Sequence, residues 1–256
     1  MIFDTHAHYD DSAFDEDRSG LLCAMAGNGI GTIVNIGADM SSSAATVELT
    51  ERYSFIYGAV GVHPSETDAL TERDMELLKS YTARPKIVAV GEIGLDYHYP
   101  NTNRELQQHW FVRQLALARE VHLPVVIHSR DAANDTMQIM REQHCEEIGG
   151  VIHCFSYSKE LALQYVDMGF YIGVGGVITF ANAKKLTEAV MAVPLERIVL
   201  ETDAPYLSPA PERGMRNHSG KLPLVAEKLA GLKGVTVQEL ICITEENARR
   251  LYRMEV

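Results

Sequence analysis

Short apolar segments recur along this chain at regular intervals, and amphipathic segments separate them. The apolar segments are rich in β-branched residues, which favour strands. We predict eight strands, at 2–8, 31–37, 55–63, 86–92, 124–128, 150–154, 170–175 and 197–203. Several of them, such as residues 87–90, are apolar at nearly every position. Strands of this kind are buried on both faces, which is typical of a parallel sheet covered by helices.

Helices are predicted between these strands, for example at 103–121 and 131–147. Segment 103–121 places several large side chains near one apolar side, suited to packing against a sheet: Leu106, Trp110, Phe111, Leu115 and Leu117. Two more helices are predicted after the last strand, at 222–232 and 236–252. This alternation predicts an α/β fold, the (β/α)8 TIM barrel with C-terminal helices, in preference to a doubly wound open sheet.

The 256 residues suit one domain, residues 1–256, because (β/α)8 barrels commonly run to about 250 residues. No apolar run approaches the roughly 18–20 residues that a membrane helix needs. Charged and polar residues interrupt the first segment, so we expect no signal peptide. A monomeric, cytoplasmic protein that makes no membrane contact is the resulting expectation.

The formal net charge of −12 argues against broad, non-specific attraction to nucleic acid. It does not exclude a nucleic-acid substrate, because bound divalent metals would be the strongest local charges in such a site. The four cysteines are scattered and form no C-x-x-C pair. We expect them to be buried thiols, with disulfides or a zinc ribbon as the alternatives.

Polar side chains follow six of the predicted strands at their carboxyl ends, the first pair being His6 and His8. These two alternate with Thr5 and Ala7, so both imidazoles lie on one face of their strand. The six sets are His6 and His8, His63, Glu92 and Asp96, His128 and Arg130, His153, and Glu201 and Asp203. Each residue alone could be a satisfied core residue, a cap or a loop hydrogen-bonder. Because strand ends converge on one rim of a barrel, we expect a common site instead.

Four imidazoles and two carboxylates of this set have the chemistry of metal ligands. A mixed nitrogen and oxygen set suits zinc, manganese or related divalent ions, and magnesium less obviously. Six ligands exceed the three or four that one catalytic zinc uses, so two ions that share a bridging carboxylate fit better. The chain has no G-x-S-x-G nucleophile elbow. Metal-activated water is therefore the expected nucleophile.

Together these motifs resemble the TatD family of metal-dependent deoxyribonucleases, within the amidohydrolase-like metal barrels. The matching segments are 4–8 (DTHAH), 61–64 (GVHP), 91–97 (GEIGLDY), 128–130 (HSR), 153–156 (HCFS) and 201–207 (ETDAPYL). They occur in the expected order and span most of the chain.

The resemblance implies a ligand set and a reaction. His6, His8, Glu92 and Asp203 would hold one divalent ion, and Glu92, His128 and His153 would hold the second, with Glu92 as the bridge. Four side chains would lie behind the ligands or face the substrate: His63, Asp96, Arg130 and Glu201. The implied reaction is exonuclease-type hydrolysis of DNA at single strands or ends. Glu92 and Asp203 would be its catalytic carboxylates, and Asp203 would orient the water and accept its proton.

The chain departs from the family in two loops. The family usually reads Arg-Asn-Glu-Pro where residues 216–221 read RNHSGK, and Tyr157 stands where a glycine is common. Loop 213–221 contains several basic residues and no acid. We expect Arg213, Arg216 and Asn217 to face the substrate, with phosphate contacts from the loop. A merely solvated loop is the alternative.

Two other functions stay open at this point. The same barrel could hydrolyse a C–N or C–O bond in a small-molecule amide or ester, or in an aminoacyl ester. The chain could also be a metal-binding scaffold without turnover, although the complete ligand set argues against that.

Overall fold

The structure, a computed structural model, describes residues 1–254. Its strands are parallel and neighbour one another in chain order. Their bounds are Ile2–Ala7 (β1), Ile30–Ile36 (β2), Ile56–Val60 (β3), Ile87–Asp96 (β4), Val125–Arg130 (β5), Gly150–Ile152 (β6), Tyr171–Val174 (β7) and Ile198–Leu200 (β8).

Helices alternate with the strands and two more follow the last strand. They are Arg18–Cys23 (α1), Met40–Arg52 (α2), Glu72–Thr82 (α3), Arg104–Glu120 (α4), Ala133–Glu142 (α5), Lys159–Asp167 (α6), Lys184–Ala192 (α7), Leu222–Lys233 (α8) and Val237–Leu251 (α9). Side-chain caps start several of them: Asp39 accepts the N–H of Ser42 at 2.6 Å, and Asn103 accepts that of Leu106 at 3.2 Å. This order is TIM-barrel topology. It confirms the predicted (β/α)8 fold and its C-terminal helices.

Contacts divide the described chain into two compact units. The first contains Met1–Asn35, Cys154–Asp167 and the chain from Tyr171 onward, and the second contains Ile36–His153 with Met168–Phe170. The expectation of one domain over residues 1–256 stays a prediction.

In the first unit, α9 packs against β1 and β8. The hydroxyl of Tyr252 donates to the carbonyl of Thr5 at 2.8 Å, and its ring stacks on Phe3. The amide of Asn247 donates to the carbonyl of Ile198 at 2.8 Å. The C-terminal helix thus fixes the two strands that carry His6 and precede Asp203.

In the second unit, a cluster of buried apolar side chains lies between α3 and α4 on one side and β3 and β4 on the other. Its members include Val60, Leu78, Ile87, Trp110 and Leu117. Phe111 and Leu115 of α4 are also buried, so the apolar side predicted for this helix is confirmed, with Leu106 partly buried.

Three element bounds differ from the prediction for identifiable reasons. The last strand ends at Leu200, because the N–H groups of Thr202 and Asp203 both turn to the carbonyl of His6. Strand β4 continues to Asp96, which pairs with Arg130 of β5. The helix predicted at 131–147 ends at Glu142, and His144 (φ 49°) separates it from a 3₁₀ turn.

The four cysteines differ in exposure. Cys145 is buried as predicted, but Cys23 and Cys242 are exposed, so the prediction of buried thiols is wrong for these two. None of the helices in residues 1–254 is both long and apolar enough to span a membrane.

Gly94 allows β4 and β5 to approach closely beside the candidate site. It has φ 144°, a conformation that residues with a side chain rarely adopt, and a Cβ there would overlap the carbonyl oxygen of His128. Only glycine satisfies both restrictions without moving β5.

We predict that Gly94→Ala lowers the free energy of unfolding by about 3 kcal/mol or more, because strain and overlap with backbone combine. Urea denaturation checks this. Gly27→Ala is the matched control, because a Cβ at Gly27 meets nothing within 4 Å. A Gly94→Ala protein that unfolds at the same urea concentration as the wild type would contradict the prediction.

Candidate metal centre

The first ligand cluster lies within the first unit and consists of His6, His8 and Asp203. The Nε2 atoms of His6 and His8 are 3.1 Å apart. Oδ1 of Asp203 lies 3.7 Å from Nε2 of His6 and 3.5 Å from Nε2 of His8. Two imidazoles and a carboxylate that converge in this way match the ligand set of a catalytic zinc or a related ion.

The spacing of the two nitrogens fits a shared divalent ion. Two nitrogens bonded to one ion at about 2.1 Å, with an angle between about 90° and 110°, lie roughly 2.9–3.4 Å apart. The 3.1 Å between the Nε2 atoms falls inside this range. The cluster is therefore already arranged for a cation, which would also separate the two nitrogen lone pairs.

The left-handed backbone of Asp203 directs its side chain to this cluster. Its φ is 58°, a conformation in which aspartate is tolerated better than most residues. The N–H of Asp203 donates to the carbonyl of His6 at 2.9 Å, and Ala204 bridges to Ala7 of β1. The end of β8 is thereby fixed to the end of β1.

A buried carboxylate, Asp4, holds this junction from behind. It accepts the N–H of His6 at 3.2 Å and the N–H of Thr202 at 3.0 Å. It also accepts the hydroxyls of Thr202 at 2.7 Å and Ser219 at 2.6 Å. Burial raises the pKa of Asp4 to about 7, and these hydrogen bonds act in the opposite direction. Asp4 thus positions the backbone of His6 and the residue that precedes Asp203.

Glu201, which the resemblance places either behind the ligands or facing the substrate, has a hydrogen-bond partner in the structure. Its Oε1 accepts the N–H of Cys154 at 2.6 Å, and the residue is buried. The carboxylate occupies the space that a Cβ on Gly173 of β7 would need. Glu201 therefore links the turn after His153 to the end of β8.

The second ligand cluster lies within the second unit around Glu92 of β4. Its Oε1 is 2.7 Å from Nδ1 of His128 and 3.5 Å from Nε2 of His153. His63, Glu92 and His128 offer ligand atoms that all lie within 4.8 Å of one another. The rings of His63 and His128 meet edge to face at 4.3 Å. Nitrogen and oxygen donors thus surround Glu92.

Charges in the second cluster also favour a cation. His128 lies between two carboxylates, with Nδ1 at Glu92 and Nε2 at 3.4 Å from Asp96. Burial lowers the pKa of His128, but Asp96 and Glu92 outweigh it and the net shift is upward. Burial likewise raises the pKa of Asp96, but hydrogen bonds from His128 and the N–H of His98 outweigh it and hold the pKa below its usual value. A divalent cation at this cluster would likewise favour the charged form of both carboxylates.

The structure groups the predicted residues within each unit. His6, His8 and Asp203 converge in the first, and Glu92, His128, His153, His63 and Asp96 converge in the second. That Glu92 also binds the first ion stays a prediction.

Loop 213–221 is held in place more firmly than its composition suggests. Arg216 forms two hydrogen bonds with the carboxylate of Asp17, at 2.9 and 2.5 Å. Lys221 is buried and its Nζ contacts Glu212 at 2.7 Å and Ser208 at 2.8 Å. That Arg216 faces the substrate stays a prediction, and its guanidinium is bound to Asp17, an acid outside 213–221.

Asn217 and Arg213 of the same loop differ in exposure. Asn217 is buried and its amide donates to the carbonyl of Thr202 at 2.9 Å, so it supports the end of β8. Arg213 is exposed and its guanidinium lies over the ring of Phe180, 4.5 Å from the centroid. Of these two, Arg213 is the side chain that a substrate can reach.

Comparison with known proteins places this chain in a family. A family model described as TatD related DNase matches residues 3–253. The metal-dependent hydrolase YabD of Bacillus subtilis (strain 168) is 42% identical, with 99% of this chain and 100% of YabD covered. YcfH of Escherichia coli (strain K12), also described as a metal-dependent hydrolase, is 36% identical, with 100% of this chain and 97% of YcfH covered. The crystal structure of YjjV, a TatD homologue from E. coli K12, matches with a TM-score of 0.94 at 31% identity, covering 99% of this chain and 98% of YjjV.

The fold and the ligand clusters define a metal-dependent hydrolase on a TIM barrel. The chain belongs to the TatD family of such enzymes, as its motifs indicated.

Asp4 and Ser219 were not singled out from the sequence. Asp4 could have been found, because it precedes His6 by two residues and so shares the strand face of His6 and His8. Ser219 carried no such signal, since its contact with Asp4 spans 215 positions. Its position is the one at which the family usually has proline.

We predict that Asp4→Asn weakens binding of a divalent ion at the first cluster about 10- to 100-fold, as is usual for groups that orient metal ligands. Calorimetric titration of the metal-free protein with Zn²⁺ measures this. Asp15→Asn, at an exposed aspartate, should bind as the wild type does. Equal affinities for Asp4→Asn and the wild type would show that Asp4 does not position the ligands.

Proposed function

We propose that this metal-dependent hydrolase cleaves phosphodiester bonds of DNA, acting on single strands or frayed ends. The observation that carries the proposal is an exposed arginine, Arg130, beside the second ligand cluster. It follows His128 by two residues in β5, so both side chains lie on one face of the strand. Within residues 1–254 the guanidinium of Arg130 forms no hydrogen bond or ion pair, which leaves it available for a phosphate.

The two ligand clusters contain the residues that would hold the metals. His6, His8 and Asp203 would bind one ion, and Glu92, His128 and His153 the other, with Glu92 shared in the scheme that the family implies. Divalent ions at these clusters would lower the pKa of water and offset the charge on the scissile phosphate. Zinc and manganese suit the nitrogen-rich sets best, and magnesium suits them less well.

Asp203 is the carboxylate best placed to handle a proton. Its side chain is 17% exposed, against 4% for Glu92, so water reaches Asp203 more readily. A carboxylate directed at the nucleophilic water can orient it and accept its proton as the bond to phosphorus forms. Glu92, buried between His128 and His153, acts instead as a fixed ligand.

Each unit has an exposed cation suited to a phosphate. Arg130 would bind the phosphate next to the second cluster, and Arg213 would be available to a phosphate at the first unit. The family description as a DNase supports this substrate. Hydrolysis of a C–N or C–O bond in a small molecule remains the competing function, and Arg130 argues against it. The cytoplasmic location and the monomeric state stay predictions.

Arg130→Ala should lower kcat/KM for a single-stranded oligonucleotide about 10- to 100-fold, because a hydrogen bond between charged groups contributes about 1.5–3 kcal/mol. Arg73→Ala is the matched control, since Arg73 is an exposed arginine of the same unit. Hydrolysis of a neutral ester should not change. An active Arg130→Ala enzyme with unchanged kcat/KM on DNA would remove the main support for a phosphodiester substrate.

Glu92→Ala should reduce nuclease activity by at least about 10³-fold, because it removes a ligand from the second cluster. It also leaves His128 and His153 without the carboxylate that lies between them. Elemental analysis should find fewer ions per chain than in the wild type. Circular dichroism establishes that the variant is folded, and Glu246→Ala, at an exposed glutamate of α9, is the control. Substantial metal-dependent turnover by folded Glu92→Ala would refute the scheme.

A further inference from the structure

A cavity of about 200 Å³ lies in the second unit, directly beside the second ligand cluster. The segment after β3 and the segment that joins β4 to α4 form its walls. Residues important to its chemistry are Ser65, Asp68, Asp96, Tyr99, Asn101 and Gln107. Asp96 belongs to both places, since it lines the cavity and lies 3.4 Å from Nε2 of His128. Whatever occupies the cavity therefore lies next to the metal ligands.

Asp96 and Gln107 supply a buried polar surface to this cavity. Both are less than one-tenth exposed. Oε1 of Gln107 accepts the N–H of Asp96 at 2.9 Å, which fixes the amide and leaves Nε2 as its donor. Within residues 1–254 this Nε2 has no hydrogen-bond acceptor. This amide donor lines the cavity without a protein acceptor, so it is available to a ligand with an acceptor atom.

Asp96 provides acceptors beside that donor. Its Oδ1 accepts the N–H of His98 at 2.9 Å, and each carboxylate oxygen can accept about two hydrogen bonds. The lining of the cavity thus includes an amide donor and a carboxylate acceptor.

The charge of the cavity excludes a phosphate as its occupant. Asp68 and Asp96 are acidic, and none of the residues that line it is lysine, arginine or histidine. A phosphate would be repelled there, whereas a neutral group with N–H donors would be attracted. Arg130 lies outside this lining, so phosphate and cavity occupant would bind at separate places.

An aromatic ring stands at this cavity. Tyr99 is 59% exposed, so its ring is available to a ligand at this cavity. Exposed aromatic rings are the surfaces on which unpaired bases stack, and such stacking is tolerant of base identity.

We propose that this cavity binds the base of the nucleotide whose phosphate lies at the second cluster, with Tyr99 stacking on the base and Asp96 and Gln107 bonding its edge. The inference rests on the proposed nuclease function and specifies how it holds a nucleotide. Every base carries a donor and an acceptor next to each other on its pairing edge, so the pair Asp96 and Gln107 accepts any base. A base can enter only after it has left the stack, which favours single strands and ends.

The test combines nucleoside binding with cleavage. The four deoxynucleosides, 2-deoxyribose and inorganic phosphate are titrated into the protein as purified, and binding is followed by NMR. The nucleosides should bind, and deoxyribose and phosphate should bind at least about tenfold more weakly in this cavity. Tyr99→Ala should weaken nucleoside binding about tenfold, while Tyr99→Phe should retain it because the ring remains.

Gln107→Glu supplies a second variant, since it keeps the acceptor for the N–H of Asp96 and removes the donor. It should weaken nucleoside binding about as much as Tyr99→Ala does, and a thermal melt establishes that it is folded. Leu77→Ala, at an exposed apolar residue of α3, is the control and should bind as the wild type does. In cleavage assays, replacing the terminal nucleotide by an abasic one should lower kcat/KM for the wild type but not for Tyr99→Ala.

The outcomes separate this inference from the nuclease function on which it rests. Oligonucleotide cleavage without nucleoside binding, or binding that Tyr99→Ala and Gln107→Glu leave unchanged, overturns the base site alone. Nucleoside binding that depends on both residues, without cleavage of any oligonucleotide, supports the base site and overturns the nuclease. Deoxyribose that binds as well as the nucleosides would also overturn the base site.

Discussion

The hydrogen bonds to one buried carboxylate, Asp4, determine how the first metal ligands are presented. Asp4 accepts the N–H of His6, the N–H and hydroxyl of Thr202 and the hydroxyl of Ser219, so it connects β1, the end of β8 and loop 213–221. A buried carboxylate is costly unless such donors surround it. The same donors fix the position of Thr202, the residue before Asp203. Asp203, whose backbone has a left-handed conformation, can therefore face His6 and His8.

In the second unit, the buried acids are compensated by an imidazole that lies between them. Glu92 and Asp96 lie on either side of His128, and the pKa of His128 shifts upward because these acids outweigh burial. Removing either acid would leave the imidazole with less compensation, and removing His128 would leave the acids without theirs. Two buried acids beside an imidazole favour a cation at this cluster, which connects the electrostatics of this unit to the family's metal dependence.

Much of the fold, and the residues that cluster as candidate ligands, could be predicted from the chain. Apolar strands with a histidine or an acid at the carboxyl end give a strong local signal, so His6, His8, Glu92, His128, His153 and Asp203 could be named as candidates. Loop 213–221 was harder, because Asp17 and Glu212, which bind Arg216 and Lys221, lie outside it. Gln107 gave no signal either: a polar residue within an amphipathic helix is ordinary until the fold places it beside Asp96.

Anomalous X-ray scattering from crystals loaded with Mn²⁺ would show directly whether each unit binds a metal ion. Two peaks per chain are expected, one bonded to His6, His8 and Asp203 and one bonded to Glu92, His128 and His153. Peaks at both places would establish that each unit contributes a metal site. A single peak at only one cluster, or manganese bound elsewhere on the chain, would contradict a centre with two ions.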